Sequence, residues 1–349
     1  MRKSTTFYTS FAILLMSVLL LSLSACVPAW EQITTVAAQT PAAFNPTPTL
    51  YSVFMLSKDE GWAVGGTFGE ETPAGNTEQT RPQSGVIYHY LHSRWTYQPI
   101  GTPMFGISAL STKDGWAIGY AGTILHYNGT AWAAVNSPTS AILLSIFMVS
   151  AMDGWIVGNG GTILHYNGHT WASFTSPTSA NLRGIFMDSA KDGWAVGENG
   201  TILHFVQGQW KMVNCPTTNT LNSVFMISLH EGWIGGDPAH MGANTTLLHY
   251  IDGSWQSVQS PYEGSLNSAF MTSYQEGWIA STAGSLLHYQ NGAWLYKADD
   301  SDSAFDLYSV YMTSPTNGWA VGQENLIRHY ANGNWTTYSV LKRIHQDNG

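Results

Sequence analysis

Charge is the first thing this chain has little of. Of its 349 residues, 10% are Asp, Glu, Lys or Arg, against about 25% in an average soluble domain. Positive charge is scarcest, with 13 Lys and Arg against 22 Asp and Glu and a net charge of −9. Without a positive field to hold phosphates, nucleic acid is not an expected partner. Two cysteines, Cys26 and Cys215, are too few for a disulfide-stapled framework, so the fold must stand on packing. What is abundant points the same way. Thirty-five glycines, 15 tryptophans and 13% aromatic residues argue against a disordered, collagenous or coiled-coil chain and for a packed, glycine-punctuated β protein.

The chain opens on an address. Arg2 and Lys3 precede an apolar run from Phe11 to Leu23, too short to cross a bilayer comfortably and followed by small residues, as in a secretory signal peptide. Leu23-Ser24-Ala25-Cys26 resembles the bacterial lipobox, in which the cysteine thiol is lipidated and the chain is cleaved just before it. The expectation is a signal peptide over residues 1–25 and lipidation at Cys26. Several acyl chains would then hold the protein on the extracytoplasmic face of the cell membrane. Residues 26–49 carry Pro28, Pro41, Pro46 and Pro48 among alanines and threonines and read as a tether. With Cys26 acylated, no intramolecular disulfide can form. Cys215 sits in Asn214-Cys215-Pro216 where other units have Asn136-Ser137-Pro138 and Ser260-Pro261, and reads as a serine-like loop residue.

From residue 50 the sequence repeats. A Gly-Trp pair recurs at Trp62, Trp116, Trp155, Trp194, Trp233, Trp278 and Trp319, and a second tryptophan follows each, at Trp95, Trp132, Trp171, Trp210, Trp255, Trp294 and Trp335. Between them runs a segment typified by Gly122-Thr-Ile-Leu-His-Tyr127, with its histidine at His89, His126, His165, His204, His249, His288 and His329. Each unit of about 40 residues contains four short apolar runs separated by turn signals. Asn-Gly or Asp-Gly precedes the fourth run at Asn128, Asn167, Asp252, Asn291 and Asn332, which supplies the positive φ of a tight hairpin. Four antiparallel strands per unit make a propeller blade. The expected fold is therefore all-β, a seven-bladed β-propeller of four-stranded antiparallel blades over residues 50–341, with a C-terminal tail over 342–349. The Trp335 strand is expected to complete the last blade, leaving Trp30 in the tether. The tryptophans read as inter-blade core. The seven histidines occupy equivalent positions in separate blades and lack zinc-ligand spacing, so neither a metal nor another cofactor is expected.

The unit, best seen in Gly115–Trp132, Gly154–Trp171 and Gly193–Trp210, resembles the repeats of the photosystem II assembly and stability factor propellers, and more broadly the Asp-box repeats of sialidase-like propellers. The first resemblance implies a protein-binding or assembly role exercised through an arginine-rich surface. Here the propeller has only Arg81, Arg94, Arg183 and Arg328, scattered over three units. The second implies a carboxylate-binding arginine triad and an Arg-Ile-Pro signature; Thr80-Arg81-Pro82 is a poor substitute for it.

Function on a repeat scaffold belongs where one copy departs from the others. Gly119 and Gly122 enclose only Tyr120-Ala121, whereas their counterparts Gly65 and Gly85 enclose a long insertion with Glu70, Glu71 and Arg81. A second insertion, Asp237 to Ala243, carries Asp237 and His240. The connection between the sixth and seventh units holds Asp299, Asp300, Asp302 and Asp306. Asp300-Ser301-Asp302-Ser303 opens like a calcium loop but lacks the required glycine and terminal glutamate. All these segments are predicted to open on one face. The expected function is a lipid-anchored, non-catalytic scaffold that binds a protein at the cell envelope through that face. The alternative is a surface carbohydrate-binding module or degenerate sialidase-like glycosidase, with a glycan as ligand.

Overall fold

The computed structural model describes residues 47–68, 82–240, 242–297 and 304–338. Within them the chain forms seven separate four-stranded sheets, each antiparallel and each built from four strands consecutive in sequence. Blade 1 spans Thr49–Ile100, blade 2 Met104–Val135, blade 3 Leu143–Ser173 and blade 4 Leu182–Met212. Blade 5 spans Leu221–Ser257, blade 6 Leu266–Lys297 and blade 7 Leu307–Thr337. No α-helix occurs among the described residues; short 3-10 turns join the second and third strands in four blades.

Sheet faces are covered by neighbouring blades, so strands near the centre are apolar on both sides. In Asp192–Gly197, the second strand of blade 4, every residue after the first is buried. The glycine of the Gly-Trp pair is dictated by crowding: a Cβ on Gly193 would lie 2.3 Å from Met187 Sδ. Blade 2, with Ala109 in place of that methionine, leaves 3.4 Å to the nearest atom at Gly115. Each interface then repeats one aromatic cluster. Trp194 of blade 4 meets Tyr250 at 5.0 Å and Trp255 at 5.4 Å, the latter edge-on at 86°, the geometry that ring quadrupoles favour.

The same cluster closes the ring. Trp319 of blade 7 lies 4.7 Å from Tyr90 and 5.4 Å from Trp95 of blade 1. On the opposite edge of the interface, Asn325 N donates to Pro48 O at 2.8 Å, as Gly200 N does to Asn219 O between blades 4 and 5. The fourth strand of blade 7, Asn334–Thr337, pairs through Tyr330 with Trp335. Closure among the described residues is thus by packing of blade on blade, with no strand exchanged. Trp30 lies outside the described residues.

The repeated histidines belong to this scaffold. Each stacks on the Gly-Trp indole of its own blade; His204 lies 4.0 Å from Trp194 at 8°. Its Nε2 meets Asp192, the residue two before that tryptophan, at 3.1 Å. Asp114, Asp153, Glu231, Glu276 and Glu60 play the same part toward His126, His165, His249, His288 and His89. Blade 7 alone offers an amide, with Asn317 Nδ2 donating to His329 Nε2 at 3.0 Å.

That exception carries a prediction. Burial holds the His329 pKa below the ordinary histidine value. A ring depressed in this way binds fewer protons folded than unfolded. Its contribution to stability is therefore intact above about pH 6.5 and is lost as pH falls through the window below. Asn317→Asp supplies the missing carboxylate. The His329 midpoint followed by NMR should rise, and the melting temperature should increase near pH 5.5 with little change near pH 8. An unmoved midpoint would contradict this account.

The hairpin turns differ from expectation in two blades. Asp252-Gly253, Asn291-Gly292 and Asn332-Gly333 form two-residue turns with both φ values positive, as do His92-Ser93 and Gln207-Gly208. In blades 2 and 3 the Asn-Gly dipeptide instead opens a longer loop. The Asn128 side-chain oxygen accepts from the backbone N–H groups of Thr130 and Ala131, both at 3.0 Å, and Asn167 does the same for His169 and Thr170. An asparagine side chain that can mimic a backbone turn displaces the tighter geometry there.

Candidate functional site

Strand alternation divides the connections between two faces. Hairpin turns joining first to second and third to fourth strands lie on one face. Connections from second to third strand, and from each blade to the next, lie on the other, referred to below as the loop face. Backbone hydrogen bonds tie the two kinds of loop together: Asn159 N donates to Ile142 O at 2.9 Å and Glu198 N to Asn181 O at 3.0 Å. Gly200, at φ +63, is required by this approach, since a Cβ there would sit 1.9 Å from Thr217 O.

The first strands of all seven blades line a central channel of about 520 Å³. Midway down it, Phe54, Phe147, Phe186, Phe225, Phe270 and Tyr311 form a collar with successive ring centroids 4.7–5.1 Å apart. Blade 2 breaks the collar with Ser108, whose hydroxyl accepts from Met148 N at 3.3 Å. Two residues before the collar position a serine recurs at Ser52, Ser145, Ser223, Ser268 and Ser309, with Gly106 and Gly184 in blades 2 and 4. Ser145, Ser223, Ser268 and Ser309 each accept, at 3.0–3.3 Å, from a backbone N–H of the next blade.

Above the collar, where the channel opens on the loop face, uniformity ends. The second residue of the recurrent first-strand segment is Tyr51, Phe105, Leu144, Arg183, Asn222, Asn267 and Tyr308 in blades 1 to 7. Three of these rings form one row across blades 7, 1 and 2. Tyr308 lies 5.4 Å from Tyr51, Tyr51 lies 5.1 Å from Phe105, and Phe68 extends the row at 6.1 Å from Phe105. Burial, with the neighbouring Tyr308 as the lesser cause, pushes the Tyr51 phenol up to about 12, so it stays a neutral donor at physiological pH. The opposite arc is polar. Arg183 donates to Glu198 at 2.8 Å, and that hydrogen bond is the main reason the Glu198 pKa lies below the ordinary carboxylate value. Asn222 donates to Asp237 at 2.7 Å and Asn267 to Leu307 O at 2.8 Å.

A cleft of about 940 Å³ opens between blades 7 and 1 on the hairpin face, with Met55, Lys58, Met312 and Thr313 among its lining. It is the larger cavity, yet its methionines are those of the general repeat, and Lys58 is paired with Asp59 at 2.6 Å. The channel mouth is where individual blades acquire different side chains.

Of the residues singled out in the sequence, Cys26, Glu70, Glu71, Arg81, Asp299, Asp300 and Asp302 lie outside the described residues. Asp237 is half-buried beside the mouth, held by Asn222. His240 is exposed at the turn where its carbonyl accepts from Ala243 N. Asp306 is a strut between blades: its carboxylate accepts from Ala283 N of blade 6 at 2.9 Å and from Gln323 Nε2 of blade 7 at 3.3 Å. Tyr51, Phe105, Arg183 and Tyr308 were not found from the sequence, although their variation at one position of an otherwise uniform repeat was a readable signal. Among the described residues no group of three or more His, Cys, Asp or Glu side chains is arranged to hold a metal. Burial raises the pKa of the half-buried Cys215 thiol, the reverse of what a nucleophile needs.

No protein-family model matches the sequence, and no curated protein matches it significantly. Solved structures do resemble it. YCF48 bound to a D1 peptide superposes with a TM-score of 0.64 at 17% identity, over 82% of this chain and 94% of that one. YCF48 from Cyanidioschyzon merolae gives 0.62 at 16%, over 85% and 100%. The WD40 propeller domain of Doa1 gives 0.61 at 8%, over 82% and 93%. The likeness is one of fold. It supports the propeller read from the repeats, and at these identities it says nothing of activity.

Proposed function

We propose that the chain is a lipid-anchored, extracytoplasmic propeller that binds a protein partner on its loop face, at the mouth of the channel, and performs no chemistry on it. One observation carries this reading: side chains change from blade to blade at the mouth, while the interfaces repeat and the collar departs only at Ser108. A uniform position serves the ring. A position that is tyrosine, phenylalanine, arginine or asparagine by turns serves something asymmetric. A similar propeller holds a peptide, which supports a protein segment as ligand over a glycan.

Capture tests it. The full-length chain, mixed with detergent-solubilised membranes from its own cells, should retain one defined protein, and Tyr51→Ala with Tyr308→Ala should reduce that retention at least about tenfold, the scale of removing two interface aromatics. Equal capture by both forms, or retention of a glycan alone, would overturn the proposal. Anchoring is tested separately. Cys26→Ser should move the protein from the membrane fraction to an uncleaved precursor or to the medium; unchanged distribution with no lipid mass on the mature N-terminus would refute it.

A further inference from the structure

Resting on the reading that a protein segment enters at the channel mouth, we infer that the channel holds an anchor pocket for one aromatic side chain of that segment, a phenylalanine-sized ring seated in the collar gap at Ser108. Two independent features of the channel converge on this site. The first is the regularity of the collar itself. Its ring contacts run from Phe147 through Phe186 to Phe225, on to Phe270 and Tyr311, and from there to Phe54. Among the described residues no ring contact links Phe54 to Phe147, so the series is one ring short at blade 2. Every collar ring packs against the core between its own blade and the next. The core between blades 2 and 3, with Ile118, Ile146 and Met148, has no such ring on it. Ser108 does not fill the place, being small and with its oxygen turned to Met148 N at 3.3 Å. What remains is a ring-sized opening flanked by Phe54 and Phe147 and backed by aliphatic core.

The second feature is the way in. At the mouth the aromatic residues are Tyr308, Tyr51 and Phe105, in blades 7, 1 and 2, the arc that ends at the gap. A ring passing down that wall keeps aromatic contact until it reaches the opening. Across the mouth, Asn222 and Asn267 spend their amide nitrogens on Asp237 and on Leu307 O, and their side-chain oxygens accept from no described residue. Those oxygens suit the backbone N–H groups of an extended segment and have no use for a bare aromatic molecule, which favours a ring carried on a protein chain. An opening lined by such apolar groups stays dry and takes benzene-sized guests. An aliphatic side chain there would forfeit the ring-on-ring contacts that aromatic neighbours reward. A charged one would lose its water without gaining a partner at the collar.

The test uses the full-length chain in detergent, labelled at isoleucine and methionine methyl groups, with benzyl alcohol and three acetylated, amidated peptides Gly-Ser-Xaa-Ser-Gly in which Xaa is Phe, Leu or Ala. The Phe peptide should shift the Ile146 and Met148 methyl resonances, with a midpoint in free probe at least about fivefold below that of the Leu peptide and below that of benzyl alcohol. This comparison needs no variant to fold. Ser108→Phe supplies the missing ring from the chain itself. Five blades carry Phe at that position, so the melting temperature should hold or rise while binding of the Phe peptide falls at least about tenfold. Ser108→Ala leaves the opening in place and should bind as the parent does. Equal midpoints for the Phe and Leu peptides, or undiminished binding by folded Ser108→Phe, overturns the inference. A benzyl alcohol midpoint at or below that of the Phe peptide gives the opening to a free aromatic molecule and overturns it too. Capture from membranes, run in parallel, separates the two claims: a partner retained as well by Ser108→Phe as by the parent leaves the scaffold reading standing and removes this one.

Discussion

Trp319→Ala should destabilise the propeller by about 3–5 kcal/mol, the range for truncating a buried aromatic to alanine. Trp319 is fully buried and holds four rings at the interface that closes the ring. Tyr90 and Trp95 lie across it in blade 1 at 4.7 and 5.4 Å, and His329 and Tyr338 lie beside it at 4.1 and 5.7 Å; Tyr338 in turn donates to Ser93 O of blade 1 at 3.0 Å. Among the described residues no strand is shared across this interface, so the cavity is felt where the first and last blades meet. Trp335→Ala, at the more exposed member of the tryptophan set, should cause a clearly smaller loss. Urea unfolding followed by tryptophan fluorescence measures both. Equal losses would mean that closure is no more dependent on packing than any other edge.

The second large effect is on binding, with stability left intact. Replacing residues 66–84 of blade 1 with the Tyr120-Ala121 connection of blade 2 should lower capture of the membrane partner at least about tenfold, as expected if a major part of the contact surface goes with it. The melting temperature should stay within a few degrees or rise. The second and third strands of blade 1 are already paired at Val64 with Ile87 and at Gly65 with Val86, the same register as Ile118 with Ile124 in blade 2. The extra ladder runs through Gly66 with Gly85 and Thr67 with Ser84 to Phe68 with Pro82, and carries one side-chain bond, Thr67 Oγ1 to Ser84 Oγ at 3.0 Å. Loop length itself costs entropy only logarithmically. A large drop in melting temperature would assign the insertion to folding, and undiminished capture would place the contact elsewhere on the ring.

The fold was legible because its physics is repeated. Gly193 and Trp194 are forced by the sulfur of Met187 and by the next blade's aromatics, and the same constraint writes the same letters in six of the seven blades, all but blade 2. The histidine partners were legible in principle: Asp114 and His126, Asp153 and His165, and Asp192 and His204 keep one spacing. The insertion in blade 5 stretches it between Glu231 and His249. The channel mouth was harder to read. Tyr51, Arg183 and Asn267 share a position but no chemistry, so periodicity passes over them, and only a register fixed by the surrounding Leu, Ser and Phe aligns them. Asp306 shows the converse error. An acidic residue in a loop looks like a binding candidate, and here its carboxylate is spent on Ala283 and Gln323 of adjacent blades.

Hydroxyl-radical footprinting of the propeller, free and bound to the protein captured from membranes, tests the central claim most directly, because the two faces carry separate reporters. Phe68, Tyr51, Phe105 and Tyr308 report on the channel mouth. Met152, Leu229 and Tyr274, which are 56%, 50% and 54% exposed, report on the hairpin face, where they sit in turns between first and second strands. The account predicts that the partner slows oxidation of the mouth residues severalfold while Met152, Leu229 and Tyr274 react as in the free protein. Protection of those three, with the mouth oxidised at its free rate, would contradict it.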